Sequence, residues 1–287
     1  MPRGLLATTR PEQWLKNFLV FAAPAAAGSL DHLPALLDAS VAFLAFTLAA
    51  AGTYLLNDVR DVESDRLHPR KRHRPIAAGV VRPGAAIAVA VAAFVAALVA
   101  GAWLGWPFVA VLILYVALTT SYSVWMKNVP VLDIVAVATG FLLRAIGGGV
   151  ATAVPLSDWF LLVAMFGALL LVVGKRYSEQ LALGAGSPTR ATLAGYPPGF
   201  LGQLTTVAMT GTLLGYAAWA FQYLGGEVSH PLLALSLLPF SVVILRYGLI
   251  IAAGGAENPE RVAVTDRFLL VAALCWLVLV AGGLYLA

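Results

Sequence analysis

The sequence is poor in charge and nearly without cysteine. Asp, Glu, Lys and Arg make up 11% of its 287 residues, whereas soluble domains carry about 25%. So little charge cannot cover a water-facing surface, which excludes an ordinary soluble enzyme or binding domain. The single cysteine, Cys275, forms no internal disulfide and is a poor basis for a zinc centre or a redox function. Basic residues are absent from whole stretches: no Lys or Arg occurs near 28–35, 104–107, 150–157 or 224–231. No cleavage signal separates the first apolar run from the next, so no signal peptide is expected. There is no linker or low-complexity tail, and a single domain over 1–287 is expected.

What the chain does have is apolar length. It is 61% hydrophobic, with a mean hydropathy of +0.88. A membrane-spanning helix needs about 20 mainly apolar residues. Nine runs meet that need, at roughly 14–30, 35–56, 83–103, 107–126, 130–150, 157–174, 201–224, 231–251 and 267–286. Gly28, Pro34, Pro107, Pro130, Pro155, Pro197-Pro198, Pro231 and Pro259 mark the breaks. The expected fold class is all-α: a polytopic integral membrane protein with nine transmembrane helices.

Lys and Arg placement then gives an orientation. With the N-terminus inside, the inner segments hold Arg3, Arg10 and Lys16, the Arg60–Arg82 block, Lys127, Lys175, Arg176, Arg190, Arg261 and Arg267. The C-terminus falls outside. The polar loops thus share the cytoplasmic face of a cell membrane. The formal net charge of +4 is explained by anionic lipid head groups and anionic substrates, and no nucleic-acid partner is expected.

The most polar stretch runs from Asn57 to Gly79. It contains Asp58, Asp61, Glu63 and Asp65, and six of the 18 Lys and Arg residues lie between Arg60 and Arg74. If the second helix continues through it, Asn57, Asp58, Asp61 and Asp65 sit at about 0°, 100°, 40° and 80°, one arc of roughly 100°. Glu63 falls on the other side. Carboxylates at these spacings repel one another, and a divalent cation removes the conflict. Mg²⁺ takes oxygen ligands and is usually held by one or two carboxylates plus substrate phosphates. Asn57, Asp58, Asp61 and Asp65 are therefore the candidate metal set. The competing reading is a solvated helix end whose acids pair with Arg60, Arg66 and Arg70. Arg66, Lys71, Arg72 and Arg74 are phosphate candidates beside that metal, although the same cations also act as a topology signal. His68 and His73 read as loop residues.

Other polar positions are fewer. In Arg10-Pro-Glu-Gln-Trp-Leu-Lys-Asn17, Gln13, Lys16 and Asn17 either donate to a phosphate or belong to an interfacial anchor. Asp133 lies near the inner end of the fifth run. Arg144 lies deep in that run, where an ionisable residue suggests function by default; structural pairing is the equal alternative. The sixth run ends in Gly174-Lys-Arg-Tyr-Ser-Glu179. This is either a helix-end salt bridge or a second half-site, with Lys175 and Arg176 on phosphate and Tyr177 and Glu179 on hydroxyls or the metal. The loop 184–198 suits a lid.

Together, Arg10-Pro-x-Gln-Trp-x-Lys-Asn17, Asn57-Asp-x-x-Asp-x-x-x-Asp65 and nine apolar runs resemble the UbiA superfamily of intramembrane prenyltransferases over nearly the whole chain. The usual members carry a second Asp-x-x-x-Asp motif after the sixth helix. Here Lys-Arg-Tyr-Ser-Glu stands instead, and Arg74-Pro-Ile-Ala-Ala-Gly79 follows the acidic motif. Both features resemble the branch that transfers 5-phosphoribose from phosphoribosyl pyrophosphate (PRPP) to polyprenyl phosphate such as decaprenyl phosphate. The resemblance implies a Mg²⁺-dependent phosphoribosyltransferase that releases pyrophosphate and feeds cell-wall arabinan synthesis. It implies Asp58, Asp61, Asp65, Lys175, Tyr177 and Glu179 as the catalytic set, with Gln13, Lys16, Asn17, Asn57, Arg66, Lys71, Arg72, Arg74 and Arg176 binding substrate. A homo-oligomer is compatible with this reading. The alternatives are a prenyltransferase acting on an aromatic acceptor, and a non-enzymatic transporter.

Overall fold

The computed structural model describes residues 2–69, 71–183, 192–222 and 231–286. Among these residues there are helices and turns and no strand. Eight α-helices are long and apolar enough to cross a membrane: α1 Leu33–Arg60, α2 Pro83–Trp103, α3 Trp106–Val124, α4 Leu132–Ala151, α5 Asp158–Leu183, α6 Phe200–Gln222, α7 Pro231–Ala252 and α8 Arg267–Tyr285. Each covers one of the last eight expected runs. Arg70, Arg190 and residues 184–191 of the expected lid lie outside the described residues, as do 224–230 of one expected outer loop.

The first run differs from expectation. The sequence predicts a ninth long α-helix near 14–30. The chain instead forms a 3-10 helix, Pro11–Phe21, followed directly by a short α-helix, Ala22–Ala26. Burial along it has a period of three. Asn17 (1% exposed) and Val20 (0%) face inward, while Leu15 (57%) and Phe18 (56%) face outward. That is the 3-10 repeat of three residues per turn rather than the α repeat of 3.6. The segment begins beside the C-terminal end of α1, where Arg10 Nη2 donates to Asp58 Oδ1 at 2.7 Å. The chain then enters α1 at its other end, Leu33. It therefore runs antiparallel to α1 along its length. At about 2.0 Å per 3-10 residue and 1.5 Å per α residue, the stretch covers roughly 30 Å, the thickness of a hydrocarbon layer.

The chain groups into two compact units. The first comprises Met1–Ala25, Ser29–Val124 and Leu143–Pro155; the second comprises Ala26–Gly28, Trp125–Leu142 and Leu156–Ala287. Helix α4 begins in the second and ends in the first.

In the first unit, the buried stripe of α1 is Ala39, Ala42, Ala45 and Ala49. These small side chains let backbones approach. Phe46 fills the space beside them, edge-on to Phe108 and Tyr115 with ring centroids 5.8 and 5.1 Å apart. In the second unit, Tyr216 of α6 anchors the core. Its hydroxyl meets Ser236 Oγ at 2.6 Å, at the break within α7, and accepts a hydrogen bond from Trp276 Nε1 of α8 at 2.7 Å. Small residues line the buried stripe of α1 while Leu114, Val99, Leu214 and Val278 are exposed. This inside-out distribution suits a lipid solvent, which gives large apolar groups no reason to hide. Trp103 and Trp106, at the α2–α3 turn, are also exposed, as interfacial tryptophans are.

Candidate active site

The acidic motif sits where α1 ends. Helix α1 stops at Arg60, and a short helix, Val62–Leu67, follows across Asp61. The hydrogen bonds of an α-turn continue across this joint, from Asp61 N to Asn57 O at 2.9 Å and from Asp65 N to Asp61 O at 2.8 Å. Asp58 and Asp65 therefore stay on one face, two turns apart, and each is 2% exposed. Both accept from the same nitrogen: Arg74 Nη1 lies 3.2 Å from Asp58 Oδ1 and 2.7 Å from Asp65 Oδ2. Arg10 adds a second guanidinium on Asp58. Its backbone is left-handed, at φ 53°, a conformation that costs a non-glycine residue about 1–3 kcal/mol.

The structure thus divides the expected set of four. Asp58 and Asp65 converge. Asn57 turns to α3, its Nδ2 donating to Ser123 Oγ at 2.8 Å. Asp61 sits at the joint, partly exposed, with Arg60 Nε 3.6 Å away. Its carboxylate pairs with Arg60 and not with Arg74, the residue that joins Asp58 to Asp65. No cluster of three or more His, Cys, Asp or Glu side chains suited to a metal occurs among the described residues. Glu63 is 81% exposed and pairs with Arg66 at 3.0 Å, so the expectation that it points elsewhere agrees with the structure. Arg66 also donates from Nε to Ala77 O at 3.4 Å. Lys71 and Arg72 are exposed, and both engage a neighbouring histidine: Lys71 N donates to His68 Nδ1, and Arg72 Nε lies 3.4 Å from His73 Nε2.

The Asp58–Asp65 pair fits a divalent cation. Two buried carboxylates already hold one positive group between them. One or two carboxylates are also what Mg²⁺ takes from a protein when phosphate supplies the remaining oxygens.

Gln13, Lys16 and Asn17 do not act as one group. Lys16 Nζ donates to Gln13 Oε1 at 2.6 Å. Asn17 points into the first unit's core, where its Nδ2 donates to Thr47 Oγ1 at 3.0 Å and its Oδ1 accepts from Arg144 Nε at 2.7 Å.

The motif after α5's apolar stretch lies in the second unit. Arg176 is buried. It donates from Nε to Asp133 Oδ2 at 3.0 Å and from Nη1 to Glu179 Oε2 at 3.2 Å. The Tyr196 hydroxyl donates to Asp133 Oδ1 and accepts from Val131 N at 2.7 Å. Burial, reinforced by the bond to Asp133, pushes the Tyr196 phenol above its usual range. Val131 is a β-branched residue at φ 70°, a strained conformation that persists because surrounding contacts fix it. Thr192 Oγ1 donates to Lys127 O at 2.6 Å and ties down the same segment. Ser178 Oγ accepts from Ala256 N at 3.0 Å. Lys175 and Tyr177 are half-buried on α5. Arg176, expected on phosphate, is here half of a buried ion-pair network.

Sequence reasoning gave no site role to Arg10, Ser123 or Tyr196. Arg10 opens the Pro-x-Gln-Trp-x-Lys-Asn motif, and Tyr196 immediately precedes Pro197-Pro198. These positions were the available signals, but neither names a partner.

Comparison with known proteins now decides the family. The profile of the UbiA prenyltransferase family matches residues 18–272. The chain belongs to the UbiA prenyltransferase family. Among curated UbiA relatives, decaprenyl-phosphate phosphoribosyltransferase of Mycobacterium tuberculosis is 45% identical over 286 residues, covering 98% of this chain and 94% of its own. The protein of the same name from Corynebacterium glutamicum is 41% identical over 290 residues, covering 99% and 87%. Among solved structures, a UbiA homologue from Archaeoglobus fulgidus bound to GPP and Mg²⁺ superposes with a TM-score of 0.71 at 18% identity, covering 98% of each chain. At that identity the likeness speaks for the UbiA fold.

Proposed function

We propose that this multi-pass membrane protein transfers 5-phosphoribose from PRPP to a polyprenyl phosphate of the decaprenyl type and releases pyrophosphate. The observation that carries the reading is the near-full-length likeness to relatives bearing that activity's name. The residues support it. A single buried carboxylate pair stands where α1 ends, and the motif on α5 is basic instead of a second acidic pair.

In the proposed reaction, an oxygen of the acceptor phosphate attacks C1 of the ribosyl group. The bond from C1 to the pyrophosphate oxygen breaks, and pyrophosphate leaves with the electron pair. The acceptor is already anionic, so no strong general base is required. Asp58 and Asp65 would hold Mg²⁺, with Asn57 and Asp61 at the margin of the same turn. When bound, this ion supplies positive charge for the leaving pyrophosphate. Arg10 and Arg74 reach these carboxylates and are placed to meet phosphate oxygens, with Gln13, Lys16, Arg66, Lys71 and Arg72 as further contacts. Lys175, Tyr177 and Glu179 are the candidates for the remaining donor phosphate and the ribose hydroxyls. Catalysis then rests on positioning and electrostatic stabilisation.

We also assign the Lys- and Arg-bearing ends to the cytoplasmic face of a cell membrane. The Pro11–Ala26 segment serves as a ninth crossing, which leaves the C-terminus outside. The decisive experiment is a labelled transfer assay on the purified protein with polyprenyl phosphate and PRPP. Product from prenyl diphosphate and an aromatic acceptor, with none from PRPP, would sink the reading.

A further inference from the structure

The 3-10 helix Pro11–Phe21 raises a physical question. Such helices have poorer hydrogen-bond geometry than α-helices, and runs beyond about four residues are uncommon. This one has 11 residues. Contacts from outside must hold it, and two of them come from one face of α4. Arg144 Nε donates to Asn17 Oδ1 at 2.7 Å. One α-turn further on, Gly148 lies so close that a Cβ there would run into the carbonyl oxygen of Val20. Asn17 to Val20 is one 3-10 turn of three residues. Arg144 to Gly148 is about one α-turn of four. Both steps advance about 6 Å, so the two helices stay in register only at these different pitches. An α-helical segment would turn Asn17 and Val20 about 60° apart.

Arg144 is itself fixed. Its Nη2 donates to the Tyr115 hydroxyl at 2.7 Å, and its guanidinium carbon lies 4.7 Å from that ring's centroid. Asn17 is fixed on its other side by Thr47. The register has a chemical consequence. At three residues per turn, Gln13 and Lys16 stack in one row, joined by their 2.6 Å hydrogen bond. The row starts at Arg10, whose carbonyl accepts from Gln13 N at 2.8 Å and whose side chain reaches Asp58.

We infer that Arg144 is a positioning residue: through Asn17 it sets the three-residue register of Pro11–Phe21, and that register lines Gln13 and Lys16 up with Arg10 beside Asp58. The kinetic half of this inference rests on PRPP as donor; the structural half does not.

The test uses full-length protein in lipid with Cys275→Ser, carrying single nitroxide labels through Glu12→Cys, Trp14→Cys, Leu15→Cys, Phe18→Cys, Leu19→Cys or Val20→Cys. Oxygen accessibility should peak at 12, 15 and 18. Adding Arg144→Met should abolish the three-residue period. Without labels, Arg144→Met should raise the KM for PRPP about tenfold while kcat changes less. Asn17→Asp should keep both the period and the KM, because its carboxylate still accepts from Arg144 and the Thr47 hydroxyl can turn from acceptor to donor. Should Arg144→Met not accumulate, Asn17→Leu gives the same readings. A period that survives Arg144→Met overturns the inference, even if KM rises, because Arg144 would then meet the donor directly. A lost period with unchanged KM overturns it too. A parent protein that turns over no PRPP sinks the proposed function, while loss of the period in Arg144→Met would still support the register.

Discussion

Asp58 and Asp65 share one guanidinium nitrogen, and that contact defines what each substitution nearby should do. Asp58→Asn keeps a hydrogen-bond acceptor for Arg10 but removes the charge, so turnover should fall by about 100-fold or more while the protein still folds. Labelled transfer and a melting curve on the same preparation would check both halves. Glu63→Ala, on an exposed side chain paired only locally, should leave the rate unchanged. Excess chelator should stop turnover and added Mg²⁺ restore it; full activity in chelator would remove the metal from the scheme. Arg176 belongs to a different class of residue. It is buried against Asp133, and Arg176→Met would leave that carboxylate with the Tyr196 hydroxyl but without its charge partner, at a cost of about 3–5 kcal/mol. A clear drop in Tm is expected. An unchanged Tm with a raised donor KM would return Arg176 to the phosphate.

Elements were legible in the sequence where apolar length or a local acid spacing announced them. Eight runs became eight α-helices, and Asp58 and Asp65 fell on one face because the α-turn continues through Asp61. The 3-10 segment was not legible, for a physical reason. Its polar row, Arg10, Gln13 and Lys16, is too short to tell a three-residue repeat from the i,i+3 steps of an α-helix, and the outward row includes Leu15 and Phe18, as apolar as the buried Val20. The partners of the motif residues were hidden as well. Arg10 meets Asp58 across 48 positions, Tyr196 meets Asp133 across 63, and Arg144 meets Asn17 across 127. At the start of α8, Asp266 caps the helix by accepting from Leu269 N at 2.8 Å and pairs with Arg246 at 2.7 Å. The bond from Arg246, then that from Leu269, holds the Asp266 carboxyl below its ordinary value. The folded chain thus takes up this proton less readily than the unfolded chain. The stabilisation is complete above the unfolded value of about 3.9 and is lost as pH falls through the lower folded value. Asp266→Asn should flatten that acid limb in melting curves taken from pH 6 down to pH 3.

For the molecule as a whole, the basic ends set the proposed orientation, and a reporter fused after Tyr285 should be accessible from outside in intact cells. Accessibility only from the inside would break the nine-crossing reading. The alanine stripe of α1 and the exposed leucines, valines and tryptophans also predict an unusual tolerance to change. In a soluble protein, trimming a large apolar residue is the damaging substitution and enlarging a surface residue is harmless. Between the exposed leucines and the alanine stripe of α1 the two exchange places. Leu114→Ala, on an exposed position, should barely move the melting temperature. Ala45→Leu, in the packed stripe of α1, should force backbones apart and cost about 1–3 kcal/mol or more. A saturation scan should therefore show strict size limits along the buried stripe of α1, so that there alanine, the usual neutral replacement, marks the positions where no larger residue is neutral.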